Sequence, residues 1–109
     1  MDAVAALRHL EPDDLPGQSL ACAMYLAGGV RTCEIGILMF GGKSPRKQLV
    51  RFALPRRVYT QSHVDYVGAV AADVATVAES LPAMRIVEEA ILLRHFTAAL
   101  TPATRFADL

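Results

Sequence analysis

The apolar residues in the first third of the chain recur at spacings that predict two helices. Residues 3–10 predict a short helix. Apolar positions between 18 and 27 predict a buried helix, and the glycine pair 28–29 after it is typical of a helix C-terminal cap. Pro16 suits the first turn of this helix, and the aspartates at 13 and 14 are its candidate N-caps.

The longest helix is predicted after position 59, with Thr60 as its N-cap and Ser80 near its end. Pro82 follows and cannot continue a helix. Several apolar residues share one predicted stripe of this helix: Val64, Val67, Ala71, Val74, Ala75 and Ala78. The stripe predicts the face that packs on the core.

Four apolar segments predict strands, at 30–40, 48–54, 84–87 and 92–99. Gly41-Gly42-Lys43-Ser44-Pro45 predicts the turn between the first two, which then form an antiparallel pair. The order helix, strand, strand, long helix, strand, strand predicts an α+β fold, with a small, mainly antiparallel sheet and helices on one face. Residues 1–109 are predicted to form a single domain.

Composition and charge restrict the classes of function. The formal net charge is zero and 53% of the residues are hydrophobic, which indicates a folded chain without a field that attracts nucleic acid or anionic lipid. Cys22 and Cys33 have neither metal-ligand spacing nor a CxxC motif. We expect a cytoplasmic protein, because the chain has no signal-peptide pattern and no apolar run long enough for a membrane span.

The residues alone assign no chemistry to the chain. His9, His63 and His95 share no metal-ligand spacing, so no metal site is predicted. The glycines at 41 and 42 lack the length and the following helix of a phosphate-binding loop. On pattern alone, the chain is an α+β domain without an assigned activity.

Three blocks of sequence, however, resemble a known family. They are LPGQSL (15–20) with GVRTCEIG (29–36), LVRFALPRRVYTQSHVD (49–65), and LRHFTA (93–98). In this order they are similar to the last quarter of the tryptophanase and tyrosine phenol-lyase family of β-eliminating lyases. The second block is the most specific, because it extends over seventeen consecutive residues.

The resemblance implies the C-terminal small domain of a fold-type I, pyridoxal-phosphate-dependent enzyme that cleaves aromatic amino acids. Family members carry the cofactor lysine in a large domain upstream, and neither Lys43 nor Lys47 matches it. The resemblance therefore implies that pyridoxal phosphate is bound by a large domain or subunit elsewhere, as in a hetero-oligomeric split lyase. The alternative is a non-catalytic remnant, or a regulatory module that docks on such a lyase. Elimination and β-substitution both stay open as outcomes.

The resemblance also implies substrate contacts. Arg51 matches the arginine that holds the substrate α-carboxylate, and a guanidinium fork suits that group. Ile35 and His95 follow the tryptophanase pattern, whereas tyrosine phenol-lyases carry arginine and phenylalanine there. His95 is expected to contact the substrate ring or relay a proton. Phe96 is expected beside the ring or in the core. Without the resemblance, each would be an ordinary structural or surface residue.

Overall fold

The computed structural model describes residues 1–40, 48–88 and 94–109. Among these residues no helix has the length and apolar character needed to cross a membrane. The elements, in chain order, are α1 (Ala3–Ala6), α2 (Pro16–Gly28), β1 (Cys33–Ile35), α3 (Ile37–Phe40), β2 (Leu49–Arg51), α4 (Gln61–Thr76), β3 (Met84–Glu88), α5 (Arg94–Thr97) and β4 (Ala99–Pro102), with 3-10 turns at Pro12–Asp14 and Ala78–Ser80.

The strands confirm the α+β class and the antiparallel pairing. Strand β1 pairs with β2, and β3 pairs with β4, so the described strands form two separate two-stranded sheets. The backbone of Met1 runs along the other edge of β2, where its carbonyl accepts from Val50 N at 2.8 Å. Strand β2 is therefore held on both sides.

The main core lies where α2 packs against α4. Met24 of α2 and Val74 of α4 are fully buried, together with Leu81 after the second 3-10 turn. Burying an aliphatic side chain of this size contributes about 1.5–3 kcal/mol. A Cβ at Gly28 would collide with Val70 Cγ2, so the glycine allows the close approach of the two helices.

The structure confirms the start of α4 and corrects its buried face. Thr60 is the N-cap, and its backbone N–H donates to His63 Nδ1 at 3.0 Å. The α-helix ends at Thr76 and continues as the 3-10 turn. Val64 and Ala75 of the predicted stripe are exposed, whereas Val70 is buried. The face is rotated because α4 packs against α2 at Gly28, opposite Val70.

The first helices differ from the prediction at their ends. Helix α1 covers only Ala3–Ala6. The aspartates at 13 and 14 do not cap α2, because they lie in the 3-10 turn, where Asp14 Oδ2 accepts from Glu11 N. The N-cap is Leu15, in the left-handed region at φ 55°. Pro16 at the first position and Gly29 as the C-cap are confirmed.

Three predicted strands were wrong over part of their length, and of segment 48–54 only Leu49–Arg51 is a strand. Only Cys33–Ile35 of segment 30–40 is a strand, and Ile37–Phe40 forms one helical turn in which Ile37 and Leu38 are both buried. Consecutive buried positions do not fit the alternation of a strand. In segment 92–99, Arg94–Thr97 is helical and the strand is Ala99–Pro102. The predicted turn 41–45 and residues 92 and 93 lie outside the described residues.

Alanine substitutions at Gly68 and Gly29 should change the free energy of unfolding in opposite directions. A Cβ at Gly68, inside α4, meets nothing within 4 Å, so Gly68→Ala should raise the free energy of unfolding by about 0.5–1 kcal/mol. Gly29 has φ 68°, so Gly29→Ala should lower it by about 1–2 kcal/mol. Urea denaturation of both variants measures the changes, and equal signs would contradict the assignment of Gly29 as the α2 cap.

Candidate functional site

Arg51 and Ile35 lie on the same face of the β1–β2 pair. Cys33 is opposite Arg51, and Ile35 is opposite Leu49. Because successive side chains alternate between faces, these four residues share the outer face, while Glu34 and Val50 are buried on the inner one. Arg51 and Ile35 are diagonal neighbours in this register, a relation that separates residues by about 7–8 Å.

The guanidinium of Arg51 is directed to solvent. Arg51 is exposed, and within the described part of the chain it forms no ion pair. The apolar neighbour Val50 points to the opposite face and does not cover the guanidinium.

The backbone beneath Arg51 is firmly held. Val50 exchanges hydrogen bonds with Met1, donating to its carbonyl and accepting from its nitrogen at 2.9 Å. Ala3 N donates to the carbonyl of Gln48 at 2.7 Å. Since β1 pairs along the other edge, β2 is the middle of three hydrogen-bonded segments, and the position of Arg51 on it is fixed.

Glu34 is a buried carboxylate that sequence reasoning did not single out. Its side chain is 4% exposed and fills the space left by two glycines. A Cβ at Gly17 would lie 2.7 Å from Glu34 Cγ, and one at Gly36 would lie 2.5 Å from Glu34 Oε1. The neighbouring Gln48 is fully buried and donates from Nε2 to Pro12 O at 2.8 Å. Gly36, two residues after Glu34, was the one local signal that the sequence offered.

The third sequence block contributes helix α5, which lies beside α3. Helix α5, which carries Phe96, packs against α3, and α3 begins two residues after Ile35. Phe96 is 76% exposed, so its ring is not part of the core of this chain. The backbone of His95 is in α5, and its side chain lies outside the described residues. The fold therefore places α5, which contains residues 95 and 96, next to α3, and α3 follows the end of β1 at Ile35.

The described residues hold no metal cluster, and the thiol of Cys22 is a poor nucleophile. No cluster of three His, Cys, Asp or Glu side chains suited to a metal ion occurs in ranges 1–40, 48–88 and 94–109. Burial raises the pKa of the Cys22 thiol above its ordinary value of 9.0, which lowers its thiolate fraction at neutral pH and argues against a nucleophile.

No lysine that could attach pyridoxal phosphate lies within the described residues. The cofactor binds its enzymes through a lysine amine. The lysines of the sequence, Lys43 and Lys47, both lie outside the described ranges.

Substitution at Gly36 tests the packing of Glu34 under the site. Gly36→Ala places a methyl group against Glu34 Oε1 and 3.1 Å from Gln48 Cγ. We expect the free energy of unfolding to fall by about 1–3 kcal/mol, because the buried neighbours must move. Urea denaturation measures the change. Gly68→Ala is the control for a glycine-to-alanine change in open space, and a Gly36→Ala variant as stable as the original chain would contradict this packing.

No model of a known protein family matches the chain. It is 53% identical over 105 residues to a tryptophanase of Hyphomonas neptunium, covering 91% of the chain and 23% of that protein. A Rhodobacter capsulatus tryptophanase is 48% identical over 89% of the chain and 23% of its own length. A tyrosine phenol-lyase of Intrasporangium calvum is 38% identical over the whole chain and 24% of its length. The resemblance to this family, closer to tryptophanase, is confirmed.

Proposed function

We propose that this chain, a homologue of about a quarter of a tryptophanase, is the C-terminal small-domain part of a pyridoxal-phosphate-dependent β-eliminating lyase. Residues 1–109 form one domain in this proposal. The domain contributes substrate contacts to a cofactor-binding chain, and the substrate is tryptophan or a related aromatic amino acid.

One observation carries the proposal. The similarity to named tryptophanases extends along about nine tenths of the chain but covers 23% of the Hyphomonas neptunium protein. A sequence that retains 53% identity over 105 residues shares the fold of the corresponding segment. The remaining length of such a lyase must come from other residues, in the same or another polypeptide. We assign those residues to a large subunit, in a hetero-oligomer.

The exposed Arg51 suits binding of the substrate carboxylate. A guanidinium presents two parallel N–H donors to the two oxygens of a carboxylate. Because β2 is hydrogen-bonded on both sides, the base of the side chain is fixed, and little backbone entropy is lost on binding. Binding through the fork would also orient the amino acid at its α-carbon.

Ile35, His95 and Phe96 are assigned to the aromatic side chain of the substrate. Ile35 shares the outer face of the β1–β2 pair with Arg51, so an amino acid held by Arg51 would extend its side chain toward Ile35. Helix α5 adjoins α3 next to this position. An aliphatic residue and an aromatic residue suit an indole ring, and a histidine supplies a donor or acceptor near it.

Pyridoxal phosphate is assigned to the large subunit. When bound there, the cofactor supplies the electron sink for cleavage at the β-carbon. Neither Lys43 nor Lys47 matches the cofactor lysine of the family. This chain is therefore proposed to bind and orient substrate, and to be inactive alone.

A non-catalytic module is the second candidate. The exposure of Arg51 in this chain favours it in one respect, because an exposed arginine is also an ordinary surface residue. The two candidates differ in a reconstitution experiment. A catalytic small domain restores indole release to a tryptophanase that lacks the matching segment, whereas a non-catalytic module binds without restoring it.

Arg51 variants test the carboxylate assignment in that reconstituted enzyme. The Hyphomonas neptunium relative, with the matched segment deleted and pyridoxal phosphate added, is combined with this chain, and indole release from tryptophan is measured. Arg51→Ala should lower kcat/KM by about tenfold to a hundredfold, since a charge-assisted bidentate contact is worth about 1.5–3 kcal/mol. Arg51→Lys should restore only part of the loss, because an ammonium cannot reproduce the fork.

The matched control is Arg85→Ala, at an exposed arginine on β3 in the other sheet. It should leave kcat/KM within about twofold, as expected for a change at a surface position. Full activity of Arg51→Ala with assembly intact would contradict the carboxylate assignment.

His95→Phe tests the aromatic-ring assignment in the same enzyme. A residue that contacts or protonates the indole ring matters only when the leaving group is a ring. We therefore expect a larger loss of kcat/KM with tryptophan than with an amino acid bearing a simple leaving group at the β-carbon, such as S-alkylcysteine. Cofactor absorbance should remain unchanged. Equal losses on both substrates would assign His95 a structural role.

A further inference from the structure

An exposed apolar surface begins three residues after Arg51. It comprises Leu54, Val58, Tyr59 and Tyr66, with the exposed Arg56 and Arg57 in the same segment, and we call it the 54–66 surface. Leu54, Tyr59 and Tyr66 line one groove of about 300 Å³ between the end of α2 and the start of α4. The four apolar residues are all exposed, Val58 by 67%.

The backbone of this surface is ordered although its side chains are uncovered. Val58 N and Tyr59 N both donate to the carbonyl of Pro55, at 3.0 and 3.1 Å. The Tyr66 hydroxyl donates to Gly28 O at 2.8 Å, which fixes the ring against the end of α2. A preorganised apolar surface loses little entropy when it binds a partner.

The residue types are those of a protein interface. Tyrosine and arginine are enriched at interfaces, and an exposed valine and leucine in the same segment add apolar surface that a partner would bury. The charged residues of the 54–66 surface are Arg56, Arg57 and the single carboxylate Asp65, and Arg51 precedes them, so arginines outnumber carboxylates. A complementary partner surface is therefore apolar at its centre and acidic at its edge.

We propose that the 54–66 surface docks on the cofactor-binding large subunit, through an apolar patch with an acidic edge, and that this contact covers Arg51. The inference rests on the proposed function. This chain covers 23% of the Hyphomonas neptunium relative, and we assign the partner to the remaining 77% of that protein's length. Leu54 is three residues from Arg51, at most about 10 Å along the chain, so a protein-sized partner seated on the surface would also reach the arginine.

The contact would strengthen the carboxylate site. Two opposite charges attract each other weakly in water and more strongly when a low-dielectric surface covers them. Arg51 is exposed in this chain. Docking next to it would remove water from the guanidinium without requiring β2 to move.

Matched valines test the surface. Val58 and Val87 are each 67% exposed, and Val87 lies on β3 in the other sheet. Binding of each variant to the truncated, pyridoxal-phosphate-loaded Hyphomonas neptunium relative is measured by sedimentation velocity. Val58→Glu should raise Kd by at least about tenfold, because a carboxylate would be buried against an apolar, acid-edged patch. Val87→Glu should change Kd by less than about twofold.

Matched arginines test the charge of the partner. Arg57→Glu should weaken binding, and the remaining binding should depend less on salt between about 0.05 and 0.5 M sodium chloride, because an attraction between charges has been removed. Arg85→Glu, at an exposed arginine on β3, should leave both Kd and its salt dependence as in the original chain.

The failures of the two proposals are distinguishable. Tight binding of the original chain without restored indole release would contradict the proposed function and leave the docking surface supported. Restored indole release with Val58→Glu binding as tightly as Val87→Glu would overturn the docking surface alone. Self-association that Val58→Glu abolishes, with no binding to the truncated relative, would assign the surface to a second copy of the chain and overturn the proposal.

Discussion

The hydrogen bonding of β2 on both edges is the constraint on which the rest of the site depends. Val50 is 1% exposed, pairs with Glu34 across the sheet and exchanges hydrogen bonds with Met1 on the other side. The burial of Val50 directs Arg51 outward, because adjacent side chains in a strand point to opposite faces. A shift of one residue in this register would bury the arginine and expose the valine. The outward orientation of Arg51 is therefore coupled to the core.

The helices show how far local pattern predicts this fold. Helix α2 and its glycine cap were predicted because a run of apolar residues ended at a residue free to adopt positive φ. The start of α4 was predicted because Thr60 precedes it. The buried face of α4 was not predicted, because Val64 and Val70 are equally apolar. The contact of Val70 with Gly28 determines which of the two valines is buried. That contact is 42 residues distant from Val70 in sequence, beyond any local pattern.

The strands and the candidate site were harder to predict from sequence than the helices. Segment 30–40 is largely apolar on both sides of Gly36, so composition alone cannot locate the change from strand to helical turn there. Periodicity gave no reason to choose Arg51 over Arg56 or Arg57; the family resemblance singled it out. The structure adds that Arg51 and Ile35 share one face, a relation that depends on the register of β1 with β2. Glu34 escaped attention because its burial depends on Gly17, a residue of another element.

The exposure of both Arg51 and the 54–66 surface has one physical explanation in the proposed assembly. A domain of about 100 residues buries a smaller fraction of its surface than a larger protein, so its own core cannot cover every apolar side chain. Here the uncovered residues follow directly after the strand that carries the proposed carboxylate ligand. One contact would have two effects. It would bury the apolar surface, and it would remove water from Arg51, whose attraction for a carboxylate is stronger in a less polar environment. Assembly and substrate binding would then be coupled. A partner bound next to Arg51 would raise the affinity of Arg51 for a carboxylate. A bound carboxylate would in turn neutralise the charge that the partner covers.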